Sequence, residues 1–301
     1  MFKKILITGV NGQVGHALKH ALATNATLHV ISLDRSQLDL TDAEAIRRVV
    51  QAHKPDLIIN PAAYTAVDKA ESEPELAFAI NAVAPRVLAE EAANIGASLI
   101  HFSTDYVYSG NKVDPYVETD ETHPISVYGQ SKLAGELAVS AVGLPYLILR
   151  TSWVYGAYGN NFFKTILRLA SEREELRIVA DQMGAPTSSQ TIAQTVMAIL
   201  PQWQASNTGV YHLVNSGFTS WHGFALAILD EYRRVQVERG WPVLKTLPTN
   251  IKAITTQEFP TLAIRPANSI LDCTKLATDF ALHLPNWRGA LAEEVKALRF
   301  N

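Results

Sequence analysis

One cysteine, Cys273, stands in the 301 residues. No disulfide can form within the chain, and such usage fits a reducing cytoplasm. Charge of one sign is scarce as well: 26 Lys and Arg stand against 29 Asp and Glu, a formal net charge of −3. That near balance gives no electrostatic footing for nucleic acid or an anionic membrane. Although 48% of the residues are hydrophobic, no stretch is long and apolar enough to span a bilayer. The opening Met1-Phe-Lys-Lys-Ile-Leu-Ile-Thr8 has the basic head of a signal peptide. Its apolar run stops at Gly9, too early for a signal core, so it reads as a first strand. Repeats and low-complexity linkers are missing too. The length suits one large domain, or one domain with a smaller partner.

What is present is an alternation. Short apolar runs at Lys4–Thr8, His29–Leu33, Leu57–Asn60, Ser98–Ser103 and Tyr146–Arg150 read as strands. Between them, Gly15–Ala23, Ala43–His53, Pro74–Ile80, Ala84–Gly96 and Val127–Val142 read as helices. Strands that are apolar throughout and separated by helices predict a doubly wound parallel sheet covered on both faces, joined by right-handed crossovers. This is an α/β fold of the Rossmann-like kind over residues 1–150. The pattern then weakens. Asn160–Glu172, Ser188–Leu200 and Thr219–Arg234 read as helices and Gly209–Val214 as a buried strand. Pro242–Pro266 is rich in Pro and Thr and reads as irregular, and Ala290–Phe300 as a closing amphipathic helix. Residues 188–214 are expected to return to the main sheet. Residues 151–187 and 215–301 form a smaller C-terminal lobe, expected to bind substrate.

Two local patterns carry chemistry. Gly9-x-x-Gly12-x-x-Gly15 follows a strand and opens a helix. Gly9 permits a tight turn, Gly12 lets the backbone approach a pyrophosphate, and Gly15 lets the helix pack close to the strand. The free N–H groups of the helix start, with Asn11, Gln13 and Val14, complete an anion cradle. The second strand ends in Asp34-Arg35. The acidic residue suits ribose hydroxyls and NAD, whereas Arg35 suits a 2′-phosphate and NADP. The conflict predicts use of both with some preference for NADPH. Asp39 and Leu40 are placed near the adenine.

Tyr128-Gly-Gln-Ser-Lys132 puts a phenol and an amine at i and i+4 of one helix, facing the same way. Bringing a tyrosine from its ordinary value near 10 to about 7 corresponds to roughly 4 kcal/mol. Lys132 and an oxidised nicotinamide are suited to supply it. In reduction, Tyr128 gives its proton to the developing alkoxide. Thr104, at the carboxyl end of the preceding strand, is placed to hydrogen-bond the same oxygen. His16 and His20 also stand at i and i+4, but no third ligand accompanies them, so no metal site is expected.

Several further strings are similar to the extended short-chain dehydrogenase/reductase superfamily. They are Asn60-Pro-Ala-Ala-Tyr-Thr65, Val67-Asp-Lys-Ala-Glu71, Asn81, Ser103-Thr-Asp-Tyr-Val107 and the Tyr128/Lys132 pair. Within it, Arg150-Thr-Ser-Trp-Val-Tyr155, Asp181-Gln-Met-Gly-Ala-Pro-Thr187 and Arg265-Pro-Ala-Asn-Ser269 resemble the dTDP-4-dehydrorhamnose reductase family over nearly the whole chain. The resemblance implies reduction of the C4 keto group of a dTDP-4-dehydro sugar by NADPH or NADH. It puts Thr104, Tyr128 and Lys132 on the catalytic positions. Ala62, Ala63, Tyr64, Thr65 and Asn81 fall on cofactor-lining segments. Asp105, Tyr106 and Trp153 fall where the family contacts the sugar. Arg265 is the first candidate for the substrate diphosphate, Lys164 and Arg168 are weaker ones, and Gln182 and Thr187 are expected on the cleft floor.

Some family members dimerise around magnesium held by glutamates. The corresponding positions here are Ala17, Gln190 and Ala297, which do not make such a site. A monomer or weak dimer is therefore expected. A related 4,6-dehydratase needs Asp-Glu after the threonine, whereas Thr104 is followed by Asp105-Tyr106. An epimerase would retain its cofactor. A non-enzymatic alternative is a regulatory subunit like that of methionine adenosyltransferase, which would bind NADP without turnover.

Overall fold

The computed structural model describes residues 2–299. Met1, and Phe300 at the end of the last expected helix, lie outside the described residues. Chain order begins β1 (Lys4–Ile7), α1 (Gln13–Ala23), β2 (His29–Ser32), α2 (Ala43–His53), β3 (Leu57–Asn60), α3 (Val67–Ala70), α4 (Pro74–Phe78) and α5 (Ala84–Ile95). It continues with β4 (Ser98–Thr104), α6 (Val127–Ser140), β5 (Tyr146–Thr151), β6 (Val154–Tyr155), α7 (Phe162–Glu172), β7 (Leu176–Val179), β8 (Met183–Gly184) and β9 (Thr187–Ser188). It closes with α8 (Ser189–Ile199), β10 (Gly209–His212), β11 (Thr219–Ser220), α9 (Trp221–Arg239), β12 (Ile251–Ile254), β13 (Asn268–Ser269), α10 (Thr274–Phe280) and α11 (Trp287–Ala297).

Six strands pair in the order β2-β1-β3-β4-β5-β10, all parallel. The continuous apolar runs have a direct cause. Alternate side chains face opposite helical layers, and both layers are apolar. Ile5, Ile7, Leu57, Ile59, Ile100 and Leu147 pack with Leu18, Ile192, Val196 and Phe280 of α1, α8 and α10. Leu6, Ile58, Leu99 and Ile148 pack with Ile46, Val50, Leu88 and Val139 of α2, α5 and α6. A separate core, including Tyr155, Phe163, Phe224, Ile228, Tyr232 and Val295, holds α7, α9 and α11 in a second lobe.

The crossovers are not of one hand. The β1–β2, β2–β3, β3–β4 and β4–β5 connections share a hand, which parallel sheets make right-handed. From β5 to β10 the chain moves the same way along the sheet as from β4 to β5. Yet its helix α8 lies on the α1 face, opposite α6. That crossover has the opposite hand. The rule describes direct strand–helix–strand units; here the chain first builds the second lobe and only then returns.

Other differences are local. The two helices expected at Pro74–Ile80 and Ala84–Gly96 join through a wide π turn, Ala79–Val83. Pro85 has no N–H for the Asn81 carbonyl four residues back, which favours the wider turn. Thr219–Ser220 forms a short strand rather than helix, and Ser220 caps α9 by accepting from Gly223 N at 3.0 Å. α9 runs on to Arg239 and stops at Gly240, whose φ of 64° suits glycine. The stretch Pro242–Pro266 contains β12, paired in parallel with β7. Only Ile251 and Ile254 of that strand are buried, so its sequence shows no period-two pattern.

Candidate active site

β1 leads to β2 on one side, while β3 leads to β4 on the other. Between them the carboxyl ends of β1 and β3 open a crevice, the usual place for ligands in such sheets. A cleft of about 540 Å3 lies there. Gly9 has a φ of 58°, and a Cβ on Gly15 would stand 2.2 Å from the Gly9 carbonyl oxygen. The close approach of α1 to the turn therefore depends on glycine. Gln13 is held across the cleft: its Oε1 accepts from Asn161 Nδ2 at 2.8 Å.

Of the residues expected at the cofactor, Gly9, Asn11, Gly12, Gln13, Val14 and Gly15 line this cleft, as do Arg35, Asp39 and Leu40. Ala62, Ala63, Tyr64 and Thr65 form a further wall, with Tyr128 and Lys132 at the far end. Two residues have other work. Asp34 Oδ1 accepts from Ser36 N, Ser36 Oγ and Gln37 N, and its Oδ2 from Asn11. Those bonds hold the turn after β2, and its carboxyl is kept below the ordinary range first by the Ser36 hydroxyl. Arg35, exposed, presents to the cleft instead. Asn81 is fully buried in the π turn. Its Oδ1 accepts from Tyr64 N at 2.8 Å, and its Nδ2 donates to Tyr64 O and Ser131 Oγ. It positions the Tyr64 loop and α6.

α6 is capped by Ser126, whose Oγ accepts from Gly129 N. It presses closely on the π turn, where a Cβ on Gly135 would stand 2.1 Å from the Asn81 carbonyl oxygen. This packing sets Tyr128 against the end of β4. The Thr104 hydroxyl lies near the Tyr128 phenol and favours its ionised form, and Tyr106 meets the Tyr128 ring edge-on at 5.4 Å. Thr104 Oγ1 also donates to Asp105 Oδ1 at 3.0 Å and accepts from Tyr106 N. Burial pushes the Asp105 carboxyl up to about 6, against the opposing Ser269 and Thr104 hydroxyls.

The electrostatics correct one expectation. Burial pushes the Tyr128 phenol up to about 12, aided by Asp105, while Thr104 opposes it. The protein without cofactor makes the phenol harder to ionise, not easier. Lys132 is 2% exposed, and burial lowers its ammonium to about 8 against the pull of Glu136. Its Nζ donates to the Phe102 carbonyl at 2.6 Å. Glu136 is in turn gripped by Arg150, with bonds of 2.9 Å and 2.6 Å, and accepts from Ser103.

The substrate candidates separate into two groups. Gln182 and Arg265 line a second cleft of about 240 Å3 with Phe162, Arg177, Trp221 and Phe259. The Arg265 guanidinium is already committed: two of its nitrogens grip Asp68, at 3.0 Å and 2.7 Å. Trp153 is stacked face to face on Trp221 at 3.6 Å, so one of its faces is covered. Lys164 and Arg168 lie on the exposed face of α7, where Arg168 pairs with Glu172. Thr187 is fully buried and donates to the Ala185 carbonyl, beneath the cleft floor rather than on it. His16 and His20 bring their Nε2 atoms to 3.1 Å, and His16 stacks on Tyr158. No group of three His, Cys, Asp or Glu able to hold a metal occurs among the described residues.

Sequence reasoning missed other lining residues. Thr151 ends β5 and lines the first cleft, and its buried Oγ1 has no partner among the described residues. The rule that ligands meet strand carboxyl ends pointed to it. Phe102, Ser103 and Val154 also line the cleft, with Gly159 and Asn160 from the second lobe. For those two no sequence signal existed. Arg177 and Trp221 of the second cleft come from elements whose approach only folding decides.

Residues 3–300 match the family described as RmlD substrate binding domain. The chain belongs to that family. It is 46% identical to the dTDP-4-dehydrorhamnose reductase of Burkholderia thailandensis, covering 98% of this chain and 99% of that protein. It is 44% identical to the enzyme of that name from Escherichia coli K12, over 94% of both chains. Among solved structures, the dTDP-4-dehydrorhamnose reductase of Bacillus anthracis in complex with NADP superposes with a TM-score of 0.88. The two are 38% identical, over 99% of this chain and 100% of that one. The likeness to this family spans both lobes.

Proposed function

We propose that the chain is an NAD(P)H-dependent oxidoreductase that reduces the C4 keto group of dTDP-4-dehydro-L-rhamnose to dTDP-L-rhamnose, the final step of dTDP-rhamnose synthesis. The observation that carries this reading is a dinucleotide-sized cleft lined by both Tyr128 and Lys132, one helical turn apart, with the Thr104 hydroxyl near the phenol. Its volume lies within the range of about 300–1,000 Å3 found for ligand pockets. The glycine cradle and the unpartnered Thr151 hydroxyl suit a dinucleotide ending near β5.

When bound, a reduced nicotinamide would supply the hydride that the carbonyl carbon takes up. The chain's residues do the rest. Tyr128, protonated at neutral pH by its burial, donates its proton to the carbonyl oxygen as negative charge develops there. Thr104 donates a hydrogen bond to the same oxygen. Lys132 would hold the nicotinamide ribose, and its charge lowers the cost of the phenolate left behind. Arg35, which lines the cleft, would hold a 2′-phosphate, while Asp34 stays bound in its own turn, which favours NADPH over NADH. The second lobe binds the nucleotide sugar, with Trp221 and Phe259 lining the cleft and Arg265 and Arg177, now paired with Asp68 and Glu258, as cations for the diphosphate. Asp105, Tyr106 and Trp153 meet the sugar, as the resemblance to the family implies. The protein works in the cytoplasm as a monomer or weak dimer with no metal at its interface.

The test is loss of reduced-nicotinamide absorbance on adding dTDP-4-dehydro-L-rhamnose, with NADPH and NADH compared at equal concentration. Rapid substrate-dependent oxidation is expected. Cofactor binding with no oxidation would overturn the reading and favour a regulatory or different sugar-binding role.

A further inference from the structure

Behind Lys132 runs a buried chain of polar side chains that the reaction as described does not use. Thr8, at the end of β1, donates through Oγ1 to Asn60 Oδ1 at 2.6 Å. Asn60, the last residue of β3, places its Nδ2 3.1 Å from His101 Nδ1. His101, on β4, faces Lys132 Nζ with its other ring nitrogen, Nε2, at 3.4 Å. Thr8 is 1% exposed, Lys132 2%, and Asn60 and His101 are fully buried. Four polar groups from three strands and a helix are aligned across the interior, where an unsatisfied group is costly.

The alignment has a direction. With Asn60 Oδ1 taken by the threonine hydroxyl, its amide nitrogen donates to His101 Nδ1. That nitrogen must then carry a lone pair, and a neutral imidazole carries its proton on Nε2. His101 is neutral, because burial and then Lys132 hold it well below its ordinary value. Its Nε2–H therefore points at Lys132. An ammonium there meets a second donor, whereas a neutral amine accepts from it.

We propose that His101 is a positioning residue for Lys132, and that Thr8 and Asn60 act through it by fixing which ring nitrogen carries the proton. The N–H dipole disfavours the charged lysine in the empty site, and among the described residues the Phe102 carbonyl, at 2.6 Å, is the one acceptor its Nζ donates to. The ammonium is thus tethered by one backbone carbonyl and opposed on the histidine side, which leaves its remaining N–H groups to a ribose hydroxyl. The charged and titratable groups around it are few. Glu136 lies a turn further along α6, and Arg150 of β5 covers that carboxylate. Asp105 and Tyr106 stand nearer the phenol. The link to catalysis rests on the reading of Lys132 given above.

The first experiment measures the His101 tautomer in the native protein from its ring-nitrogen NMR shifts; Nε2–H is expected, and Nδ1–H overturns the proposal without any variant being made. The second is Asn60→Asp, which keeps the shape but makes residue 60 an acceptor only. His101 should switch to Nδ1–H, and the Lys132 titration, followed by carbon-13 lysine signals, should move up by about one pH unit, a tenfold gain in proton affinity. A shift of Lys132 with the tautomer unchanged means the added charge acts alone, and it refutes the proposal. An unshifted Lys132 in a folded variant does the same. A shift of both with no change in the pH profile of kcat/KM upholds the proposal and removes Lys132 from catalysis.

Discussion

Replacing Gly15 with alanine adds one methyl group, and the structure says where it must go. The new Cβ would lie 2.2 Å from the Gly9 carbonyl oxygen, 2.8 Å from the Gly9 carbonyl carbon and 2.9 Å from Val10 Cα. All three are backbone atoms, so no rotamer change relieves the contact. Reaching an ordinary 3.4 Å from the oxygen requires α1 and the turn to part by about 1.2 Å. Overpacking of this kind costs about 1–3 kcal/mol. Alanine in a helix regains up to about 1 kcal/mol relative to glycine. The net loss of stability is then about 0–2 kcal/mol, and the protein still folds. The cradle does not survive so well. A displacement near 1 Å in a ligand-positioning element lowers efficiency by about 10²-fold. Gly15→Ala should therefore show a nearly native thermal transition and a loss of NADPH affinity on the order of 100-fold, read by fluorescence titration. Gly289→Ala is the control. Gly289 lies on the exposed face of α11 with nothing within 4 Å of its Cβ position, so it should gain slightly in stability and bind normally. Gly15→Ala binding NADPH within threefold of the parent would refute the reasoning that this turn holds the pyrophosphate.

Three further outcomes are expected. Tyr128→Phe keeps the ring but deletes the proton donor, so turnover should fall about 10²–10⁴-fold while cofactor titration stays near native; unchanged turnover removes Tyr128 from the mechanism. Arg35→Gln should weaken NADPH binding by roughly 10–100-fold, through lost charge-assisted hydrogen bonds, and leave NADH binding nearly alone; equal effects on both cofactors would show that Arg35 does not read the 2′-phosphate. His212 is buried against Tyr108 and Arg150, and burial lowers it to about 3 from an ordinary 6.5. Between those values the unfolded chain binds a proton that the folded one does not, so stability falls as pH drops from 6.5 toward 3. His212→Gln should flatten that loss in denaturant titrations at pH 7 and pH 4.5; an equally steep loss would place the acid sensitivity elsewhere.

Much of the site was legible because it is local. The glycines of the turn, Arg35, and the Tyr128/Lys132 pair each lie within one strand–helix junction or one helical turn. Spacing along the chain then fixes direction in space. The strands were legible for a similar reason, since a sheet buried on both faces demands unbroken apolar runs. Asp34 shows where this ends. Its position resembles that of a ribose ligand, but its carboxylate is taken by Ser36, Gln37 and Asn11. Arg265 shows the same, its fork closed on Asp68 almost two hundred positions away.

By itself, then, the sequence determined most of the strands and helices of the parallel sheet, the glycine-rich turn between β1 and α1, and the pairing of Tyr128 with Lys132 on one helix face, because each follows from local periodicity and backbone sterics. Only the tertiary structure decided which charges remain free and what surrounds the reacting groups. Burial raises Tyr128, lowers Lys132 and lines up Thr8, Asn60 and His101 behind it. Desolvation and partnership depend on residues brought together from β1, β3, β4 and α6, and no spacing along the chain encodes those distances.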